Sequence, residues 1–291
     1  MFNPMNDTPP NTATPAASHY QTLLREGTPA SRVSLYGSWL PEPGLAPERL
    51  RDLLAEAMRD PSAITFKEDR RTTVLRTRLL GRDVIIKSYR LTKLSEWIKY
   101  AFRHSPARRF WAAARTMQTL HISTPQPLGI LEEYRFGIPI QSHMISEYLD
   151  HSLTLRQWVE TTPFNESSEH KAAAIRQLLD LLLALYASGL YHRDTKGENI
   201  LITHPDDPTQ RTFHWIDLEC VQCKSRLTHH DIIRNLVQLN GSICHIVPRD
   251  DRTAFLQQMA QTHPWVISPR VLKKIRLWTR RRLEKEKHET R

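Results

Sequence analysis

No apolar run in the chain approaches the roughly 18 residues that a membrane-spanning helix needs, and no basic, apolar, small-residue leader opens it. The expectation is a cytoplasmic protein. Cysteine is scarce: Cys220, Cys223 and Cys244 are too few and too clustered for a disulfide framework, so reduced thiols are expected. Cys220 and Cys223 have the spacing of one half of a zinc site, but the second pair is incomplete. No internal repeat is present. Glycine is also scarce, nine in 291 residues and none between Ile64 and Leu80, which excludes a glycine-rich turn from that stretch. What is there is ordinary for a globular protein, 40% hydrophobic and 25% charged.

The net charge of +10 is concentrated in two places. Arg270 to Arg291 holds ten Lys or Arg against three Glu, and Lys87 to Arg115 holds eight against Glu96 alone. Basic patches of this density attract phosphate groups, whether on nucleic acid, lipid headgroups or a glycolipid. Val271, Ile275 and Trp278 fall on one helical face of the terminal patch. It reads as a solvated helix, a membrane-surface contact or a nucleic-acid contact. No aromatic-rich nucleic-acid motif accompanies it, so no nucleic-acid partner is expected.

Residues 1–18, rich in Pro, Thr, Asn and Ala without periodicity, are expected to be disordered. Residues 19–62 form an N-terminal extension, in which Leu50, Leu53, Leu54 and Ala57 have helical spacing. Ile64–Phe66, Val74–Leu80 and Val84–Tyr89 then read as an antiparallel meander. Ser105 to Leu120 reads as a helix, Thr124 to Leu128 as a proline-fixed connection, and Met144 to Leu149 as a strand. Ser168 to Ser188 carries Ile175, Leu178, Leu179, Leu182 and Tyr186 on one helical face, with Gly189 as its stop. Ile232, Ile233, Leu236 and Leu239 mark another buried helix.

Between these helices lies YHRDTKGENILI, Tyr191 to Ile202, followed by FHWIDLE, Phe213 to Glu219. Asp194 precedes Asn199 by five residues, and Asp217 ends the second of two apolar strands. This spacing is that of a phosphoryl-transfer catalytic loop and its metal-holding aspartate. Asp194 is the candidate base for an attacking hydroxyl, and Lys196 sets an ammonium beside the transferring phosphate. Asn199 and Asp217 supply the hard oxygens that Mg²⁺ prefers. Lys87, ending the run VIIK, sits where such folds place the lysine that pairs ATP phosphates; the bland reading is a solvent-facing strand lysine. Backbone around Glu147 to Leu149 is placed to bond the adenine. Two parts are missing: the glycine-rich cover, for which Arg70 or Arg71 can substitute, and a glutamate on the helix after Lys87. Only Glu96 lies near, upstream. About 13 residues separate Asp217 from Asp231, too few for the activation segment of a protein kinase.

VIIKSY, SPARRFW through STPQPL, ISEYL, HRDTKGENILI, WIDLE and RNLVQLNGS together resemble the bacterial lipopolysaccharide kinases, protein-kinase-like enzymes acting on heptose or Kdo sugars of the inner core. The resemblance spans roughly Ile64 to Ser242. It implies an α+β, two-lobed protein-kinase-like fold, with a small antiparallel-sheet N-lobe over 63–149 and a mainly helical C-lobe over 150–291 that ends in the basic helix. It implies an ATP- and Mg²⁺-dependent transfer to a sugar hydroxyl. Asp194 and Lys196 would be catalytic, Lys87, Glu147, Leu149, Asn199 and Asp217 would bind the cofactor, and Asn199 and Asp217 would hold the metal. The implied partners are a lipid-linked sugar and the anionic inner face of the cytoplasmic membrane. Where relatives often read RDL, this chain has Arg234-Asn235-Leu236, so the anchoring carboxylate is replaced by Asn235 or supplied by Asp231. Two other readings stay open: a non-catalytic kinase-like module that binds nucleotide or a partner, and a small Ser/Thr protein kinase.

Overall fold

A computed structural model describes residues 15–25, 33–36, 47–91, 104–161 and 168–289. Residues 1–14 and Glu96 lie outside the described residues. The chain runs α1 (Pro15–Arg25), β1 (Val33–Tyr36), α2 (Pro47–Arg59), β2 (Ile64–Glu68), β3 (Thr72–Leu79), β4 (Arg82–Arg90), α3 (Pro106–Thr119), β5 (Pro127–Arg135) and β6 (Ile138–Glu147). These form a six-stranded antiparallel sheet in the order β1-β5-β6-β4-β3-β2. There follow β7 (Ser152–Thr154), α4 (Leu155–Thr161), α5 (Ser168–Ala187), β8 (Leu190–His192), β9 (Ile200–Thr203), β10 (Thr212–Trp215) and β11 (Val221–Cys223). The helices α6 (His229–Ile243), α7 (Arg249–Met259) and α8 (Pro269–Glu289) complete the chain. The result is the expected two-lobed, protein-kinase-like α+β fold, a sheet lobe above a mainly helical one.

The sheet lobe is organised by alternation along β4. Val84, Ile86 and Ser88 are buried on one face, where Leu50, Leu54 and Ala57 of α2 pack with Leu75, Leu79, Leu131 and Ile145. The period of two then turns Ile85, Lys87 and Tyr89 to the opposite face, toward the helical lobe. A single strand pattern thus fixes both the core and the direction of Lys87. α3 lies on that second face and is capped by Ser105, whose hydroxyl accepts from Arg108 N–H at 3.0 Å and donates to Glu132. Arg108 Nε reaches the fully buried Glu132 at 2.8 Å. Here the helix supplies the cation and the sheet the carboxylate.

Three expectations change. Pro15–Ser18 are helical, the start of α1, because Tyr20, Leu23 and Leu24 find an apolar seat against α3 and Tyr20 donates to the Val221 carbonyl (3.1 Å). The connection expected over Thr124 to Leu128 ends at Gln126: Pro127 and Leu128 already belong to β5, which runs to Arg135 and forms a hairpin with β6 through Phe136 (φ 52°) and Gly137 (φ 75°). The stripe on α8 is packed: Ile275 is buried, and Val271 and Trp278 rest on the same core as α6, with Trp278 edge-on to His230. That stripe is not free to insert into a membrane; the exposed face of α8 is mostly charged, with Leu277 the exposed large hydrophobic on it.

Candidate active site

The catalytic loop is delivered by α5, which buries Leu178, Leu179, Leu182 and Tyr186 and stops at Gly189 (φ 71°), a left-handed residue that glycine adopts without strain. β8 then leads into Asp194. Within β8 His192 turns inward and stacks on Trp215 at 5.0 Å. Its Nε2 lies 3.1 Å from the Ile216 carbonyl, so that nitrogen carries the proton and Nδ1 accepts from Asp194 N–H at 3.3 Å. Burial pushes the His192 pKa down, which keeps the ring neutral and the tautomer fixed.

From below, α6 grips the loop. Asn235 Nδ2 donates to the His192 carbonyl (2.8 Å), Gln238 Nε2 to the Arg193 carbonyl (2.6 Å), and Gln238 Oε1 accepts from Thr195 N–H (3.2 Å). Ser242 Oγ accepts from Gly197 N–H at 2.8 Å. Gly197 is closely packed: an added Cβ would lie 3.1–3.3 Å from Ile243 Cγ2, Arg156 N and Arg156 Cβ, so a side chain there needs its neighbours to shift by a few tenths of an ångström. The anchor left open in the sequence is therefore Asn235, together with Gln238. Asp231 is used otherwise, capping α6 with Thr228 and pairing with Lys224 at 2.6 Å.

On this platform Asn199 Nδ2 donates to both the carbonyl (2.8 Å) and Oδ2 (3.1 Å) of Asp194, and Lys196 Nζ lies 3.0 Å from the same Oδ2. Two donors thus orient Asp194 by one oxygen and leave Oδ1 unengaged among the described residues. Asp217 sits in a left-handed turn (φ 63°, ψ 41°) at the end of β10. Its approach is fixed by the TPQP connection: Ser123 accepts Trp215 N–H through its carbonyl (3.0 Å), and Thr124 donates to the Trp215 carbonyl (2.9 Å).

Lys87 reaches across from β4 to Asp217 and to Glu219, the latter at 2.5 Å. Tyr89, two residues on and so on the same face, donates to Glu219 at 2.5 Å. Glu219 takes the place of the glutamate missing from α3. Glu219 ends the WIDLE motif without a role in the expected site, and the signal for it in the sequence is its position two residues after Asp217. Burial opposes the charge on Lys87, but the Glu219 and Asp217 carboxylates outweigh it and hold the ammonium well above its ordinary pKa. Asp217 is pulled down to about 2: burial raises it, and Lys87 more than reverses that. Glu219 moves the other way, raised by burial. The Cys220 thiol, pushed up to about 12 by burial, donates to Asp217 Oδ2 at 3.5 Å.

The donor set fits a hard divalent cation: an ionised carboxylate at Asp217 and the Asn199 Oδ1, which has no donor among the described residues. Glu147 is less simply placed than expected. Its side chain accepts from Gln126 N–H (2.6 Å) and its own N–H donates to the Gln126 carbonyl (3.0 Å), so β6 and the TPQP connection are tied together here. Leu149 accepts from the Ser152 hydroxyl at 2.7 Å. The turn where a glycine-rich loop would lie is closed by Asp69, whose carboxylate accepts from Arg71 and Thr72 N–H, both at 2.8 Å.

No curated protein matches the chain. A solved structure titled "WaaP in complex with acyl carrier protein" is similar, with a TM-score of 0.63 and 18% identity over 87% of this chain and 98% of that one. The likeness is one of fold. The family model described as the lipopolysaccharide kinase (Kdo/WaaP) family matches residues 59–259, more than half of the chain. The chain therefore belongs to the lipopolysaccharide kinase (Kdo/WaaP) family.

Proposed function

We propose that this protein transfers the γ-phosphoryl group of Mg-ATP to a hydroxyl of a heptose or Kdo in the lipopolysaccharide inner core. The observation that carries the reading is Asp194, held through Oδ2 by Asn199 and Lys196 with Oδ1 left to accept a proton. In the proposed step the sugar oxygen bonds to the γ-phosphorus, its proton passes to Asp194, and ADP leaves. Lys87 and Lys196 offset charge on the phosphates, and Glu219 holds Lys87 extended. Asn199 and Asp217 would hold Mg²⁺, which supplies charge neutralisation at the phosphate oxygens. The Glu147 carbonyl and Leu149 N–H are the proposed adenine contacts. A protein substrate is disfavoured, because β11 and the capped turn at Thr228 occupy the short link after Asp217. The test incubates the protein with labelled ATP and core glycolipids of defined truncation and locates the phosphate by mass spectrometry. Mg-ATP binding with no transfer to any glycolipid would favour a non-catalytic module.

We also infer an acyl carrier protein as a partner, the one named for the similar structure. The supporting observation is a cavity of about 700 Å³ in the helical lobe, lined by Trp158, Leu178, Phe213, Leu236 and Phe255, with Arg252 also in its lining. It suits an apolar chain with an anionic head. Co-purification with acylated carrier protein but not with the unacylated form is the expected result. Equal binding of the two would remove the cavity from the interaction.

A further inference from the structure

Three consecutive carbonyls behind Asp217 are held from three different elements. The Glu219 carbonyl accepts from Arg109 Nε of α3 at 3.2 Å, the Cys220 carbonyl from Arg193 N–H of the catalytic loop at 3.0 Å, and the Val221 carbonyl from the Tyr20 hydroxyl of α1 at 3.1 Å. The last of these is buried and joins residues 201 apart in the chain. Its direction follows from the ladder: Cys220 and Lys224 bond across to Arg193 and Gly189, so the alternation turns the Val221 carbonyl away from β8 and toward α1. Val221 is fully buried, and a buried carbonyl needs a protein donor. Burial pushes the Tyr20 pKa up to about 12, so its hydroxyl keeps the proton it donates.

The turn needs such support. Asp217 is left-handed (φ 63°, ψ 41°), a conformation that a residue other than glycine keeps only where its surroundings over-determine it, and its side chain makes no cap bond to the turn it opens. β11 has three residues and pairs with β8 alone, and a two-stranded ladder of that length is marginal by itself. Packing supplies the rest through α3, which lies against the Leu218–Cys220 turn and also carries α1. Tyr20, Leu23 and Leu24 are buried where α1 is seated. α1 therefore reaches the turn twice, indirectly through α3 and directly through Tyr20.

We infer that α1 clamps the turn that carries Asp217 and Glu219, with Tyr20 as the positioning residue that sets where those carboxylates stand against Lys87. Tyr20 acts through the Val221 carbonyl, four residues beyond Asp217, and not on the nucleotide itself. The clamp stands on these hydrogen bonds, whereas its consequence, tighter binding of Mg-ATP, rests on the kinase reading. Pro15–Arg25 lies ahead of residues 59–259, the part matched by the family model, so the clamp assigns a role in the site to a segment outside that part.

The test compares two variants of the full chain. Tyr20→Phe keeps the ring and removes the donor, and Thr77→Val removes a comparable buried bond in the sheet lobe, from Thr77 to the Ala57 carbonyl (2.9 Å). Amide hydrogen exchange, read by mass spectrometry, is expected to quicken several-fold over residues 217–223 in Tyr20→Phe and to keep its wild-type rate there in Thr77→Val. Mg-ATP affinity by calorimetry should fall about fivefold in Tyr20→Phe, the worth of one hydrogen bond, and stay unchanged in Thr77→Val. Unchanged exchange at the turn in Tyr20→Phe, or a rise spread evenly over the chain, would overturn the clamp. A loosened turn with wild-type Mg-ATP affinity would overturn the positioning role. If the turn loosens and affinity falls as expected but wild type transfers no phosphate to any glycolipid, the clamp stands and the kinase reading falls. Transfer by wild type together with unchanged exchange in Tyr20→Phe gives the reverse.

Discussion

Lys87 and Glu219 meet at 2.5 Å beneath the sheet, so the carboxylate that steadies the strand lysine comes from two residues after Asp217 and not from α3. This ties Lys87 and Asp217 to one short turn. A movement of that turn must shift both.

Glu219→Gln should therefore lower catalytic efficiency with ATP at least tenfold while leaving acceptor KM little changed. The buried pair loses one charge, and Lys87 is left to Asp217 alone, so stability should fall by about 2–4 kcal/mol, toward the cost of breaking a buried pair. Urea denaturation reads the second effect independently of activity. Unchanged values in both experiments would return Lys87 to the reading of a strand lysine without a catalytic role.

The Asp217 pKa makes an acid-stability prediction with a definite sign. Its folded value, about 2, lies below the ordinary carboxylate range, so its contribution is present above about pH 4 and is lost as pH falls toward 2. Glu219 is raised by burial and works in the opposite direction as pH falls. Asp217→Asn should flatten the stability profile between about pH 4 and 2, whereas Glu219→Gln should leave the slope in that window little changed, because a raised carboxyl takes up its proton above the ordinary range of about 4. Denaturant midpoints across that window, wild type beside the two variants, check the ordering.

Asn235 is fully buried and donates to the His192 carbonyl while accepting from the Tyr186 hydroxyl at 3.2 Å. Asn235→Asp replaces the donor by an oxygen that faces the His192 carbonyl and Gln238 Oε1, acceptor against acceptor. The variant should lose about 3 kcal/mol or more. Asn235→Ala, which leaves the His192 carbonyl unmet without adding a charge, should lose less, about 1–3 kcal/mol. In both, kcat should fall further than ATP affinity, because the displaced element is the loop that carries Asp194. A more stable Asn235→Asp would mean that this helix accepts the ordinary anchor.

Much of this site was legible because its parts are contiguous: Asp194, Lys196 and Asn199 lie on one loop, and Asp217 follows a hairpin of two apolar strands. Lys87 was legible from the apolar run before it, and the α2 stripe from its spacing. The rest depends on tertiary choices that no local pattern encodes. Glu219 acts across 132 residues of chain, and its carboxylate looks like any acidic residue in a turn. β5 opens with Pro127 and carries Gly129 at a register shift, both of which read as breaks. Its turn, Phe136-Gly137, lacks the Asn-Gly signature. The stripe on α8 has the same periodicity whether it meets α6 or a lipid surface, and only the packing decides.

That packing separates two contributions of α8 that the sequence left joined. Ile275 and Trp278 rest on the helical core, so Trp278→Ala should destabilise the protein by about 3 kcal/mol, the low end for a large aromatic truncation. It should leave binding to anionic vesicles unchanged. Lys273, Arg276, Arg281 and Lys285 are exposed on the same helix, and near a negative surface each can add about 1 kcal/mol. Reversing Lys273, Arg276 and Arg281 to Glu should then abolish salt-sensitive co-sedimentation with anionic vesicles and leave the thermal midpoint within a few degrees. A membrane contact made through these charges alone would be released fully by about 0.5 M salt. Association that survives both high salt and the charge reversal would place the contact elsewhere on the molecule, and the two measurements together assign α8 either to the fold alone or to the fold and the surface.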